Sequence, residues 1–288
     1  MPLPHVDYRM VKTVAEALAL KQAHPDARFL AGGTDLIPQV REGRRPTSLF
    51  IDIKRIPELS RIEERPDGGV LVGAAVTMAT IADRLGQRFP LLTECCLTVG
   101  AFPLRNRATM GGNLCNASPA ADTAVGLMCL DAEVVAQGPA GVRHVPITEF
   151  FQGPGRTALL PLELVLGIVL PPSASSWRGS YLRMSRRLGM DLATLGVVVA
   201  CNRDGGRARH RIALAAVAPT PLRVPDAEAV LDALGTTPDA CQKAGEIAAA
   251  ACRPITDNRG TETYRRDMVG VLVTRGAQAL NASTEAAR

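Results

Sequence analysis

Two segments of this 288-residue sequence place paired glycines where a polypeptide could bind an anion. Residues 31–35 (AGGTD) follow a short apolar run, and residues 109–113 (TMGGN) lie near the middle of the chain. Because glycine has no Cβ, two successive peptide groups can approach a ligand closely and direct their N–H groups at one anion. These segments, which we name the first and second glycine loops, could together bind a diphosphate from two sides.

The elements predicted around the first glycine loop would support this chemistry. Thr13 and Glu16 form a capping box that predicts a helix over residues 13–23. Residues 28–31 are typical of a short buried strand, and the apolar spacing that follows the loop predicts a second helix. The free N–H groups at the start of that helix would carry partial positive charge, which favours a phosphate. The neutral donors near the two loops are Thr34, Thr109, Asn113 and Ser118.

Each glycine pair has a simpler interpretation as an ordinary turn, and that alternative stays open at this point. Asp35 would repel a phosphate, so we expect its carboxylate to cap the following helix and point away from the ligand. The sequence contains neither G-x-G-x-x-G nor G-x-x-x-x-G-K. If the chain binds a dinucleotide, it therefore does not bind it as a Rossmann domain does.

Composition and residue spacing exclude several other classes of protein. Apolar residues make up 47% of the chain, which is enough for a substantial core, and no apolar run is long enough to span a membrane. The N-terminus resembles no secretion signal, so we expect a cytoplasmic protein. The seven cysteines include no C-x-x-C pair and the four histidines show no ligand spacing, so we expect no metal on this chain. The adjacent Cys95 and Cys96 are interpreted as core residues.

The formal net charge of +5 does not by itself indicate a nucleic-acid-binding protein. Nine arginines lie between residues 178 and 223, opposed by Asp191 and Asp204, but stacking aromatic residues are scarce there. We interpret this segment as a solvated or protein-facing surface, with anion binding inside a cofactor site as the alternative.

The chain divides into two regions with different patterns. Before residue 171, predicted strands alternate with predicted helices, and residues 171–176 combine two prolines with small residues, as in a linker. After it, Asp204-Gly205 separates two apolar runs, which is typical of a β-hairpin, and helices are predicted to complete the chain. These patterns indicate an α+β C-terminal domain.

Residues 98–122 (TVGAFPLRNRATMGGNLCNASPAAD) and residues 30–38 (LAGGTDLIP) together resemble the FAD-binding subunit of the molybdenum hydroxylases. This family includes the medium subunit of carbon monoxide dehydrogenase and the flavin domain of xanthine dehydrogenase. The resemblance continues in the same order through the last third of the chain, at residues 181–183, 186–193, 218–223, 257–260 and 264–266. An ordered set of motifs over essentially the whole chain is far more specific than either glycine pair alone.

The resemblance implies a two-domain α+β fold. Residues 1–175 would form an FAD-binding domain of the vanillyl-alcohol oxidase and p-cresol methylhydroxylase type, with subdomains at residues 1–55 and 56–175. Residues 176–288 would form a smaller α+β C-terminal flavoprotein domain. FAD would lie between the two subdomains without a covalent link.

The resemblance also implies which residues contact FAD. Residues 29–36 and 108–113 match the two diphosphate loops, and Asp122 matches an acidic residue near the ribose, although it could instead cap a helix. Arg183 matches a cation near the flavin ring, and Leu192 matches a residue that flanks the ring, although it could instead serve packing. The implied cofactor-binding residues are Phe29, Leu30, Ala31, Gly32, Gly33, Thr34, Asp35, Leu36, Val99, Gly100, Leu104, Ala108, Thr109, Gly111, Gly112, Asn113, Cys115, Asp122, Arg183 and Leu192.

The function implied by the resemblance is electron transfer within a larger enzyme. A large partner subunit would hold a molybdenum cofactor, and a small partner would hold two [2Fe–2S] clusters that reduce the FAD of this chain. The FAD would then reduce an external acceptor, in a complex expected to be a dimer of heterotrimers. No side chain of this subunit needs a catalytic role, and residues 152–170 contain no cysteine for an additional cluster. The alternative is an FAD-holding assembly subunit without its own acceptor reaction. Neither the substrate nor the acceptor is encoded here.

Overall fold

The computed structural model describes residues 2–187 and 189–285. The chain begins with a small parallel sheet, and the first glycine loop follows one of its strands. The strands of this sheet are β1 (Asp7–Met10), β2 (Arg28–Leu30) and β3 (Leu49–Asp52), in the order β1-β3-β2. The helices that connect them are α1 (Val14–Ala23) and α2 (Leu36–Arg41). The predicted helix over residues 13–23 is confirmed, because Thr13 Oγ1 accepts a hydrogen bond from the N–H of Glu16 at 3.1 Å.

A second, antiparallel sheet of five strands supports the second glycine loop. Its strands are β4 (Ile62–Glu64), β5 (Val70–Gly73), β6 (Glu133–Gly138), β7 (Gly141–Pro146) and β10 (Leu164–Leu170), in the order β4-β5-β10-β6-β7. The short strands β8 (Phe151–Gly153) and β9 (Arg156–Thr157) form a separate pair. The helices of this region are α3 (Met78–Leu85), α4 (Pro90–Thr98), α5 (Phe102–Arg105), α6 (Met110–Asn116), α7 (Asp122–Cys129) and α8 (Ile147–Phe150).

Every residue of α7 is buried, which explains why this helix shows no amphipathic pattern. It packs against α4, where Cys95 and Cys96 are fully buried, as the sequence predicts for core residues. Gly126 makes this packing close, since a Cβ there would lie 2.8 Å from the sulfur of Cys95. The two helices form the centre of the largest apolar core.

The C-terminal region is a four-stranded antiparallel sheet covered by three helices. The strands are β11 (Arg178–Met184), β12 (Leu195–Asn202), β13 (Arg209–Ala215) and β14 (Leu222–Arg223), in chain order across the sheet. The helices are α9 (Pro225–Leu234), α10 (Pro238–Ala251) and α11 (Glu262–Glu285). Strands β12 and β13 pair on either side of Asp204, so the predicted hairpin is confirmed. The predicted linker contains a short 3-10 helix, Pro172–Ser176.

Both faces of the C-terminal sheet are buried, because alternate residues of β12 join different cores. Val197 and Val199 pack with the helices α9, α10 and α11. Val198 and Ala200 pack instead with the core that contains α4 and α7. The C-terminal region therefore completes the core of the preceding region, and the α+β class expected from the sequence is confirmed. Among the described residues, no helix is long and apolar enough to cross a membrane.

Candidate functional site

A cavity of about 810 Å³ lies where the parallel sheet, the five-stranded sheet and the C-terminal region meet. Its volume is near the upper end of the range of about 300–1,000 Å³ that is typical of small-molecule and cofactor sites. Both glycine loops line it. The sequence predicts that these loops act together, and in the structure the first loop contacts residues 107–108, which directly precede the second loop.

The contact of the first loop with residues 107–108 depends on Gly32. A Cβ at this position would lie 2.1 Å from the carbonyl oxygen of Arg107 and 3.0 Å from the Cα of Ala108, so only glycine fits. Gly33, the next residue, has a φ of +73°, which favours glycine for a different reason. The two glycines of the first loop therefore serve a close approach and a left-handed turn, respectively.

The first glycine loop presents free backbone donors to the cavity. The N–H groups of residues 32–35 find no acceptor among the residues that the structure describes. The carbonyl groups of Gly33 and Asp35, in contrast, accept hydrogen bonds from the N–H groups of Ile37 and Gln39 at 3.1 and 3.0 Å. Successive unpaired N–H groups on a cavity wall form a concave site suited to an anion.

Asp35 corrects one expectation from the sequence, since its side chain makes no capping hydrogen bond to α2. The backbone of Asp35 is already helical, with φ −103° and ψ −45°, whereas a residue that caps a helix with its side chain is usually extended. The carboxylate lines the cavity instead. Burial raises the pKa of Asp35, while Arg45 and Arg44 act in the opposite direction.

The second glycine loop uses its backbone donors internally. The N–H groups of Met110 and Gly111 donate to the carbonyl groups of Val76 and Ala74, each at 3.2 Å. The N–H group of Gly112 donates to Thr109 Oγ1 at 3.1 Å. The expectation that both loops offer free amides is therefore wrong for the second loop, which contributes side chains and open space.

Gly112 is less crowded than Gly111, although a Cβ there would press on the hydroxyl that caps α6. A Cβ there would meet only Thr109 Oγ1, at 2.9 Å, whereas a Cβ at Gly111 would lie 2.7 Å from both the Cβ and the carbonyl oxygen of Ala74. Gly111 thus permits packing of α6 against the end of β5, and Gly112 keeps the cavity open. Asn113 lines the cavity beside it, with Oδ1 accepting a hydrogen bond from Thr123 at 2.7 Å.

Asp122 links the cavity wall to the C-terminal sheet. Its Oδ1 accepts hydrogen bonds from the hydroxyl of Tyr181 at 2.5 Å and from Nε of Arg183 at 3.1 Å. Burial raises the pKa of Asp122, and its bonds to these two partners act against that rise. Asp122 is the first residue of α7 but makes no capping bond, so the helix-cap alternative is not supported.

The remaining lining includes an apolar group of residues and a segment from the C-terminal region. Val99, Gly100 and Leu104 form the apolar group. The segment, which we call the rim loop, consists of the described residues 185–187 and 189–193, of which Arg186, Arg187, Met190, Asp191 and Leu192 line the cavity. Leu192 is 61% exposed, which disfavours the alternative that it serves packing.

Two of the predicted residues do not line the cavity. Leu30 is buried with Val40 and Phe50 on the other face of β2, since neighbouring residues of a strand point to opposite faces. Arg183 is held by Asp122. The predicted residues that do line the cavity are Phe29, Ala31, Gly32, Gly33, Thr34, Asp35, Leu36, Val99, Gly100, Leu104, Ala108, Thr109, Gly111, Gly112, Asn113, Cys115, Asp122 and Leu192.

A group of cations beside the first glycine loop was not predicted from the sequence. Lys21, Arg28 and Arg45 line this part of the cavity, and burial lowers the pKa of Lys21 and of Arg45. Lys21 Nζ donates to the carbonyl groups of Pro25 and Ala27, each at 2.7 Å. The signal for Arg28 was its place four residues before Gly32. The three positive charges favour an anionic ligand at this end.

A further wall of the cavity, formed by β9, β10 and the segment between them, was not predicted from the sequence. Its lining residues are Thr157, Leu159, Leu160, Pro161, Glu163, Leu164 and Val165. This wall reaches the cavity because β10 pairs with β5 and β6, which are distant in the sequence. No local pattern could indicate that placement.

Comparison with family models gives two matches that together cover most of the chain. Residues 4–173 match the FAD binding domain in molybdopterin dehydrogenase. Residues 180–280 match the CO dehydrogenase flavoprotein C-terminal domain.

Similar proteins agree with these matches. The chain is 36% identical to the carbon monoxide dehydrogenase medium chain of Hydrogenophaga pseudoflava over 285 residues, 97% of each chain. It is 35% identical to the xanthine dehydrogenase FAD-binding subunit of Escherichia coli O157:H7 over 225 residues, 77% of each chain. Among solved structures, carbon monoxide dehydrogenase from H. pseudoflava matches with a TM-score of 0.91 at 36% identity, covering 97% of this chain and 99% of that one.

Proposed function

Because this chain belongs to the FAD-binding medium subunits of the molybdenum hydroxylase family, we propose that it binds FAD in the cavity between its glycine loops and transfers electrons through it. Membership of this family identifies the chain as an FAD-binding subunit of an oxidoreductase. The position of the cofactor and the route of the electrons are the proposal.

The observation that carries the proposal is the row of unpaired N–H groups at residues 32–35 on the cavity wall. The diphosphate of FAD would accept hydrogen bonds from these groups. Arg28 and Arg45 would supply positive charge on the same side. The negative charge and the hydrogen-bond acceptors of the diphosphate are therefore complementary to the positive charge and the N–H donors of the cavity.

Side chains of the second loop and of α7 would bind the remaining polar parts of the cofactor. The second loop would offer Thr109 and Asn113 opposite the free amides, and Gly112 would leave room for the ligand. Asp122 would accept hydrogen bonds from ribose hydroxyls through Oδ2, since Oδ1 is already bonded to Tyr181 and Arg183.

The apolar part of the cavity would receive the flavin ring. Val99, Gly100 and Leu104 would exclude water from one side of the ring, and Leu192 of the rim loop would cover it from another. FAD, when bound, supplies one-electron and two-electron transfer, while the protein supplies binding, orientation and electrostatics. No general acid or base of this chain is needed for that task.

The partners of this chain would be a large molybdenum-cofactor subunit and a small subunit with two [2Fe–2S] clusters, arranged as a dimer of heterotrimers. Support comes from relatives that are described as the medium chains of carbon monoxide dehydrogenase. Electrons would pass from the clusters to the FAD of this chain and then to an external acceptor.

The first test is the stoichiometry and fate of FAD. We expect purified protein to hold one FAD, and we expect Gly112→Val to abolish FAD retention, because the branched side chain would occupy the open space at that position. The unfolding free energy of both FAD-free proteins serves as the control for intact folding. A Gly112→Val protein that still holds one FAD would contradict the site assignment.

The second test concerns the electron route and uses the assembled complex. Addition of the substrate of the molybdenum subunit should bleach the flavin absorbance, and addition of an acceptor should restore it. A flavin that stays oxidised during turnover would instead support a subunit that holds FAD for assembly only.

A further inference from the structure

A buried arginine in α11 connects the two walls of the cavity. Arg265 is 1% exposed, and its Nη2 donates to Oδ1 of Asp257 at 2.5 Å while its Nη1 donates to the carbonyl oxygen of Ala216 at 2.8 Å. A buried guanidinium requires a charged partner and hydrogen-bond acceptors, because its desolvation is costly. Asp257 and Ala216 are therefore fixed relative to α11.

Asp257 lies between two guanidinium groups. Its Oδ2 accepts hydrogen bonds from Nη2 and Nε of Arg259 at 2.6 and 3.1 Å, and its Oδ1 accepts one from the N–H of Arg259 at 2.8 Å. Arg259, with Arg265 in addition, holds the pKa of Asp257 well below its usual range. The carboxylate thus stays ionised and fixes Arg259 in one orientation.

From that orientation, residues 258–260 contact the rim loop. Arg259 Nη1 donates to the carbonyl oxygen of Ala193 at 3.3 Å, and the hydroxyl of Thr194 donates to the carbonyl oxygen of Arg259 at 3.5 Å. Arg186 Nη1 donates to the carbonyl oxygen of Asn258 at 3.2 Å. Both ends of the rim loop are therefore bonded to this segment.

The bond from Arg265 Nη1 to Ala216 connects α11 to the wall around Asp122. The N–H of Ala216 donates to the carbonyl oxygen of Pro119 at 2.8 Å, and Ala120, Ala193 and Ala216 pack together as a small apolar cluster. Ala120 lines the cavity, as does the neighbouring Asp122. One buried guanidinium thus connects the wall around Asp122 with the rim loop.

We propose that Asp257, Arg259 and Arg265 are positioning residues. They hold the rim loop and the wall around Asp122 in the relative position that the cofactor requires. None of the three lines the cavity, so they would act on a ligand only through the segments that they hold. The ligand named here, FAD, rests on the proposed function. The placement of the rim loop does not, because its bonds are made within the chain.

Arg259→Gln is the variant that separates positioning from general stability, because Arg223→Gln provides a matched control. Arg223 also has a side chain that is 19% exposed, and its Nη2 also lies 2.6 Å from a carboxylate, that of Glu228. Arg223 donates to the carbonyl oxygen of Met128, and no hydrogen bond or ion pair joins it to the described residues of the rim loop. Arg259→Gln removes the ion pair with Asp257, and Arg223→Gln removes the comparable pair with Glu228 together with a longer one, of 3.6 Å, to Asp131.

Two measurements test the proposal. Hydrogen exchange of residues 190–194 in FAD-free protein should be about tenfold faster in Arg259→Gln than in the wild type, since a hydrogen bond to a charged group is lost. The rate of FAD release from the loaded subunit, followed by flavin fluorescence, should rise by a similar factor. Arg223→Gln should leave both rates within about twofold.

Arg259→Lys is a second variant that tests the proposal if Arg259→Gln does not fold. Lysine keeps the charge near Asp257 but lacks the planar fork that bonds the carboxylate and Ala193 together, so exchange in residues 190–194 should still rise. The proposal is overturned if exchange there is unchanged in both Arg259 variants. It is also overturned if Arg223→Gln accelerates exchange and FAD release equally. Wild-type protein that does not retain FAD would contradict the proposed function, while the exchange result would still decide the placement of the rim loop.

Discussion

The two glycine loops contain the same dipeptide and line the same cavity, but they differ in the hydrogen bonding of their backbone N–H groups. The N–H groups of residues 32–35 find no acceptor in the part of the chain that the structure describes, whereas Met110, Gly111 and Gly112 donate theirs within the protein. The first loop can therefore bind an anion through peptide groups. The second loop is a rigid surface that positions Thr109 and Asn113 and leaves space beside them.

The comparison teaches that a paired glycine has no single meaning. Gly32 allows two segments to touch, Gly33 allows a left-handed turn, Gly111 allows a helix to pack on a strand, and Gly112 leaves a cavity open. The distinction lies in what a Cβ would meet at each position. Three substitutions should separate these roles.

The largest effect is expected for Gly32→Ala, which would force the two loops apart. Overpacking against the carbonyl oxygen of Arg107 should lower the unfolding free energy by roughly 1–3 kcal/mol. Displacement of the free amides should weaken FAD binding by about 100-fold, measured by calorimetric titration. Gly43→Ala is the control for a glycine substitution remote from this contact, because nothing lies within 4 Å of its Cβ position and any loss there reports only the strain of its φ of +73°. Equal FAD affinity in both variants would contradict the role of the loop contact.

A smaller effect separates the two glycines of the second loop. In FAD-free protein, Gly111→Ala should lower the unfolding free energy by roughly 1–3 kcal/mol, because the Cβ would collide with the backbone of Ala74. Gly112→Ala should change it by less than about 1 kcal/mol, since helix propensity offsets one close contact. Chemical denaturation measures both. Equal losses would mean that Gly112 is as tightly packed as its neighbour.

The smallest effect concerns charge, which differs between the loops because only the first contains an acidic residue. Ionised Asp35 should repel the diphosphate, so the FAD affinity of the wild type should fall as pH rises through the raised pKa of Asp35. Asp35→Asn should remove this dependence and bind FAD about two- to fivefold more tightly at pH 7. Below the pKa of Asp35 the two proteins should bind alike. Weaker binding by Asp35→Asn at pH 7 would show that the carboxylate contacts the cofactor directly.

Local signals in the sequence predict much of the fold. Thr13 caps α1 as predicted, because a capping residue acts on the positions next to it. Strand β1 escaped prediction since all four of its residues are exposed and show no alternation. Its structure comes from pairing with β3, which lies about forty residues later.

The site is predictable to the extent that it depends on backbone geometry. Both glycine loops were found, because the absence of a Cβ is visible in the sequence itself. The bond between Arg183 and Asp122 could not be predicted, because the two residues lie 61 positions apart and the pairing depends on tertiary structure. The capping role predicted for Asp35 was wrong because its backbone conformation is not encoded in the residue type.

The sheet of β11–β14, buried on both faces, has a consequence for how such subunits diversify. A terminal segment with one uncovered apolar face would be prone to aggregate if it were transplanted alone. Recombination within this chain therefore has to carry α4 and α7 along with the segment that they cover. We therefore expect related subunits to be inherited whole and to vary by point substitution.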